Sequence, residues 1–198
     1  MTRMSPQTAA RRAETLTRIY DAAEAIMVCG CELTAGAVAD KVGIKRNSLY
    51  RYIDSIDSLR AAVIGRRFPA WIAAVQEEVR TVRTGDPGPE RGIAASVTFV
   101  EANLRQASHS SHGWLVRQAS GLERSQLEGH SGGHAALDDL LTDLVSEALE
   151  SAPSERCRAV SAIIRGIIAT GFSLLDTGWD DDGVIAECTK ATRAILAS

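Results

Sequence analysis

The chain has 198 residues, 45% of them hydrophobic and 5% aromatic, with a formal net charge of −3. That length suits one compact domain or a small module on a larger one, with enough apolar residues to form a core without disulfide staples. Residues 1–14 are polar and carry Arg3, Arg11 and Arg12 with no apolar run behind them. The uncharged stretch from Gly166 to Leu175 is too short to span a bilayer, so neither a signal peptide nor a membrane anchor is expected, and a cytoplasmic protein is.

Charge is unevenly distributed. Residues 1–67 hold eleven Lys or Arg against seven Asp or Glu, a net of +4, while residues 68–198 hold eleven against eighteen, a net of −7. A basic first third on an acidic body suggests that the first part meets a polyanion and the rest does not.

In chain order, nearly everything reads as helix, and the alternating β-branched and aromatic runs of strands are missing. From Arg11 onward, Leu16, Ile19, Tyr20, Ala23, Ile26 and Met27 recur at steps of three and four, predicting an amphipathic helix that ends near Gly30. Thr34 can cap a second helix that buries Val38, Ala39 and Val42, and Gly43 is free to take the left-handed conformation that ends it. A third short helix is expected after Ile44, with Leu49, Ile53 and Ile56 on one face. A fourth, capped by Ser58, runs through Leu59, Val63, Ile64 and Phe68 to Pro69, which should kink or break it. Residues 84–92 form the clearest loop. A helix follows from about Gly92, then a loop over 108–113, one or two short helices over 114–127 that include Trp114, a loop over 128–134, and helices over 135–150, 155–176 and 183–196.

Three short helices with a tight glycine turn between the second and third make a helix-turn-helix. With Leu49, Ile53 and Ile56 on the core side, Arg46, Asn47, Tyr50 and Arg51 gather on the opposite side of the third helix. Such a strip fits a DNA major groove, where Arg bonds guanine O6 and N7 in bidentate fashion and Asn does the same to adenine. Thr34, Lys45, Ser48 and Tyr52 edge the strip and could hold phosphates. An ordinary solvated helix carrying arginine is the alternative from pattern alone.

The segment "LTAGAVADKVGIKRNSLYRYIDSIDSL", residues 33–59, resembles the DNA-binding motif of the tetracycline-repressor (TetR) family. The motif's places are held by Thr34, Val38 and Ala39, Gly43 and Ile44, Leu49 and Tyr50, Tyr52 and Leu59. The resemblance covers the first third of the chain. It implies base contacts from Arg46, Asn47 and Tyr50, and phosphate contacts from Thr34, Ser48 and Tyr52. The chain departs from the family at two places. Lys45 stands where a small capping residue is common, and Ile56 stands where members usually carry a phosphate-clamping Lys. One lost phosphate contact shallows the log–log salt dependence by about 0.9 per subunit.

The expected architecture is all-α: a helix-turn-helix DNA-binding head over residues 1–57, then a larger helical effector-binding and dimerisation domain over 58–198. One recognition helix reads few base pairs, so a homodimer on two half-sites of a roughly palindromic operator is expected. Candidates for its interface are Ile163, Ile167, Leu174, Ile185 and Ile195, with Gly166, Ala169, Thr170 and Gly171 allowing close approach. The resemblance further implies a small-molecule effector held by the middle helices. Trp71, Phe99, Trp114 and Phe172 are candidate walls, with Trp179 a further one, and Arg117, Arg165 and Asp176 are candidate anchors. Each is also consistent with plain core or surface.

His109, His112, His130 and His134 have spacings that suggest half-sites for a metal, but no carboxylate or thiolate completes a set, so no metal and no cofactor is assigned. Cys29 and Cys31 flank the hinge between the first two helices. An oxidation switch at that hinge is the alternative, but with only Lys41 near enough to activate a thiol, all four cysteines are read as buried or half-buried structural residues. The function these features point to is a non-enzymatic regulator, most simply a repressor released from DNA by its effector. The alternatives are a helical metal-dependent enzyme using the histidines and a protein-interaction adaptor docking through Arg46, Asn47 and Tyr50.

Overall fold

Capping and apolar spacing decide where each helix starts and stops. The computed structural model describes residues 6–108, 114–115 and 133–198, and among these it contains eight helices and no strand. They are α1 (Pro6–Val28), α2 (Ala35–Val42), α3 (Arg46–Leu49), α4 (Ile56–Val82), α5 (Pro89–Ser108), α6 (Gly133–Ala148), α7 (Ser154–Asp176) and α8 (Asp181–Leu196). The chain divides into two compact units. The first ends at Arg66 and the second takes up from Arg67, so α4 contributes residues to both.

In the first unit α1 buries Ile19, Ala22, Ala23, Ile26 and Met27. It packs against α2, whose buried face is Ala35, Val38, Ala39 and Val42. Thr34 caps α2 as expected, its Oγ1 accepting from the Ala37 amide at 3.2 Å. Gly43 closes the helix at φ 78°, with its N–H and that of Ile44 donating back to the Ala39 carbonyl.

The next two elements differ from expectation. The third helix is a single turn, Arg46–Leu49, followed by turn residues 50–52, so Leu49, Ile53 and Ile56 do not share one helical face. Leu49 ends α3, Ile53 is buried in the connector and Ile56 opens α4. The fourth helix starts at Ile56 because Ser55, not Ser58, caps it. The Ser55 hydroxyl accepts from the Ser58 amide, and the Ser58 hydroxyl accepts from the Ser55 amide, each at 3.0 Å. Pro69 does not break α4, which is one helix to Val82. The cost is one backbone bond, because Pro69 has no N–H to offer the Gly65 carbonyl.

The second unit is organised around α5, which packs against α6, α7 and α8. That environment explains its long buried list, including Ala95, Val97, Phe99, Val100, Ala102, Leu104 and Ala107. It begins at Pro89, three residues before the expected loop ends, since a proline at the first helical position loses nothing by lacking an N–H. Two glycines allow close helix approach. A Cβ at Gly92 would lie 2.7 Å from the backbone of Glu147 and Ala148, and one at Gly171 would lie 2.6 Å from Leu104 Cδ2. Glu147 draws together Arg83 and Arg91, at 2.8 and 2.5 Å, tying α6 to the residue just past α4 and to the first turn of α5.

By length and composition α7 could cross a membrane, unlike the shorter stretch read from sequence, but it packs against α5, α6 and α8. Only 22% of its most apolar window is buried in the single chain.

Candidate nucleic-acid interface

The short third helix presents its polar residues outward. Arg46, Asn47, Tyr50 and Arg51 are all exposed, Tyr50 at 48%, while Leu49 beneath them is fully buried. Lys45, also exposed, adopts an extended backbone before α3 and makes no side-chain cap. Lys41 at the end of α2 adds a further exposed cation. Ser48 is half-buried, its amide donating to the Lys45 carbonyl at 2.8 Å. Thr34 is half-buried and its hydroxyl oxygen is already engaged in capping, which leaves the O–H as its free donor.

Neighbouring cations hold this surface together. Arg12 lies over the Tyr52 ring, 5.2 Å from its centroid, so the start of α1 stands beside the edge of the strip. Arg18 donates to the Val42 carbonyl at 2.6 Å, satisfying an orphan acceptor at the end of α2. Arg66 joins α4 to α1 through Asp21 at 3.1 Å and the Tyr20 ring at 5.3 Å. Sequence reading missed Arg18 and Arg66, because an Arg on an amphipathic helix gives no sign of a partner on another helix. Exposed cations and hydrogen-bonding side chains held in place by a packed core are what groove recognition requires.

The candidate effector residues fall in the second unit. Trp71 and Phe99 are buried, and Trp71 meets the half-buried Phe172 edge-on at 5.9 Å between centroids. Trp71 Nε1–H donates to Asn103 Oδ1 at 3.0 Å, and Asn103 Nδ2 donates to the Phe99 carbonyl at 2.8 Å. Asn103 was not among the sequence candidates. Trp114 is buried, and Arg117 lies outside the described residues. Arg165 pairs with Asp138 at 3.6 Å, and Asp176 and Trp179 are exposed. The hydroxyls of Ser96 and Ser161 are buried with no hydrogen-bond partner among the described residues.

Of the candidate interface residues, Ile163 is 50% exposed, Ile167, Leu174 and Ile195 are half-buried, and Ile185 is buried within its own chain. Gly171 faces Leu104 and Cys188 inside the protomer, whereas Gly166 faces open space. His109, His112 and His130 lie outside the described residues, and His134 falls in the first turn of α6.

No protein-family model and no curated protein matches the chain. Solved structures do. RolR in complex with resorcinol superposes with a TM-score of 0.63 at 14% identity, covering 96% of each chain. A TetR-family transcriptional regulator from Streptomyces coelicolor gives a TM-score of 0.52 at 23% identity over 92% of this chain and 98% of that one. The TetR-family repressor AlkX from Dietzia sp. gives 0.51 at 17% identity, over 100% and 98%. The chain therefore has the fold of the TetR-family transcriptional regulators.

Proposed function

We propose that the chain is a homodimeric, sequence-specific DNA-binding transcriptional regulator of the cytoplasm, a repressor released from its operator by a small-molecule effector. The observation that carries the DNA-binding part is the outward set of Arg46, Asn47, Tyr50 and Arg51 over the buried Leu49, on a turn fixed by the Thr34 cap and the left-handed Gly43. Residues 1–57 bind DNA in this reading, and residues 58–198 bind the effector and a second copy. The base contacts come from Arg46, Asn47 and Tyr50, with Arg51 beside them. Thr34, Lys45, Ser48 and Tyr52 hold phosphate.

Dimerisation is supported by α7. Its face of Ala159, Ala162, Ile163, Gly166, Ala169 and Thr170 is exposed in the single chain, apolar or small almost throughout, and open at Gly166. Small residues at that spacing let a second helix come close. Ile167, Leu174 and Ile195 flank that face, and Ile185 supports it from within. An effector site is supported by the Trp71 and Phe172 ring contact, the buried Phe99, and the buried Ser96 and Ser161 hydroxyls, which have no partner among the described residues. RolR is a neighbour that carries a small aromatic ligand, and AlkX is one that is a repressor. The effector acts on the head through α4, whose residues belong to both units. Taking the operator from nearly full to nearly empty requires the effector to favour the released conformer by about 5.5 kcal/mol.

The test is fluorescence anisotropy on DNA from immediately upstream of the chain's own gene against a scrambled duplex, across a salt series. A preference of at least about a thousandfold, lost in Arg46→Ala and Asn47→Ala, is expected. Absence of binding to either duplex at low salt overturns the reading. Sedimentation of Ile163→Glu at fixed concentration tests the self-association arm, and a dimer unaffected by that change puts the interface elsewhere.

A further inference from the structure

Two cysteines stand apart from the chemistry above. Cys29 and Cys31 sit just past the end of α1, both exposed, and the structure joins them in a disulfide across Gly30, with Cα atoms 5.4 Å apart. This corrects the reading of Cys29 and Cys31 as buried or half-buried structural residues, a placement that holds for Cys157 and Cys188. A bond closing so short a loop constrains the unfolded chain little, so stabilising the fold does not account for it. Gly30 at φ 73° lets the chain double back so that the two side chains meet. The Cys31 amide donates to the Ile26 carbonyl, and two residues on come buried Leu33 and the capping Thr34. The pair thus stands on the only covalent connection between α1 and α2.

We propose that Cys29 and Cys31 form a reversible dithiol–disulfide site that exchanges with low-molecular-weight disulfides and thiols, and so sets how firmly α1 is tied to α2. The two sulfurs have different surroundings. Cys29 Sγ lies 3.1 Å from the Ile26 carbonyl oxygen, an acceptor within reach of its S–H once the bond is reduced. Cys31 Sγ is exposed and stands 4.0 Å from the Cys29 carbonyl oxygen, which makes it the freer nucleophile of the two. The Cys31 thiolate attacks one sulfur of the incoming disulfide, whose S–S bond breaks and releases one thiolate. Cys29, giving its proton to solvent, then attacks the Cys31 sulfur of the mixed disulfide and expels the second thiolate. Two electrons and two protons pass from the protein pair to the incoming disulfide, which leaves as two thiols. Cys157 and Cys188 stay out of the exchange, since both are buried and burial pushes the Cys188 thiol up.

The full chain is equilibrated with graded ratios of reduced to oxidised glutathione, quenched with an alkylating reagent and weighed intact, with peptides mapped. Cys29 and Cys31 are expected to pass together from alkylated to protected as the ratio falls. In Cys29→Ser, glutathione is trapped on residue 31, and in Cys31→Ser the first step slows at least tenfold. Hydrogen exchange over 30–37 should be faster in the reduced form. Cysteines that are alkylated at every ratio, a disulfide that survives excess reduced glutathione, or identical exchange in both states overturns the proposal.

Discussion

The hydrogen bond between Trp71 and Asn103 offers the sharpest test of how the second unit is held. Both residues are buried, the 3.0 Å bond is the indole's partner, and Asn103 spends its own N–H on the Phe99 carbonyl. Asn103→Ala leaves the indole N–H in the core with nothing to donate to, which costs about 1–3 kcal/mol, and removing the amide group adds a small cavity. Trp71→Phe leaves Asn103 Oδ1 unpaired and loses part of the edge-on contact with Phe172, a similar sum. In the double variant neither orphan remains. The two changes should therefore be less costly together than their sum, by a coupling of roughly 1–2 kcal/mol. Urea unfolding of the four proteins measures this, at one protein concentration because self-association would shift every midpoint. Costs that add to within about 0.5 kcal/mol would refute the reasoning and mean that solvent reaches the indole.

Other expectations rest on separate contacts. Gly92→Ala gains about 1 kcal/mol of helix propensity but drives a Cβ into the Glu147 and Ala148 backbone, so a net loss of about 1–2 kcal/mol is expected in the same urea assay. Gly166→Ala meets nothing among the described residues, so it should stabilise an isolated protomer yet weaken a dimer closely paired through α7, which sedimentation would separate. The hydrogen bond from Arg91, then those from Arg83 and the Gly88 amide, hold the Glu147 carboxyl below the usual carboxylate range against the opposing effect of burial. Its contribution is therefore complete above the ordinary carboxylate pKa of about 4.3 and fades as pH falls through the lower folded value. Stability followed from pH 7 downward should decline more steeply for the native chain than for Glu147→Gln, and parallel curves would remove Glu147 from the account.

Local chemistry was legible in the sequence where a residue carries its own reason. Thr34 before an apolar-periodic run and Gly43 after it mark α2 to the residue, because a hydroxyl that accepts an amide and a backbone that tolerates φ > 0 are properties of single side chains. The third helix was over-read for a physical reason. Leu49, Ile53 and Ile56 stand at helical intervals, but three different pieces of chain deliver them towards the core, and periodicity cannot distinguish one face from three converging segments. Ser55 and Ser58 are equally good caps on paper, and only their reciprocal bonds choose between them. Asn103 was invisible because a polar residue in an amphipathic helix reads as surface until its partner on another helix is known. The same limit hid Arg18.

If α3 meets DNA as proposed, its brevity has a consequence. Four residues cannot hold helical geometry alone, since nucleation costs more than one turn returns. The aim of Arg46 and Asn47 is therefore set by what surrounds them: Leu49 in the core, the Gly43 turn, and Arg18 fastening the end of α2 to α1 through the Val42 carbonyl at 2.6 Å. Arg18→Ala should weaken operator binding by disorienting the turn. Arg18→Lys should recover only part, because an ammonium cannot reproduce the guanidinium's reach and planarity. The salt series separates this from simple loss of a cation. A positioning residue lowers affinity with the log–log slope unchanged, whereas a phosphate contact takes about 0.9 from it per subunit. A slope that drops in Arg18→Ala would move Arg18 from scaffold to DNA contact, and α3 would then owe its geometry to Leu49 and Gly43 alone.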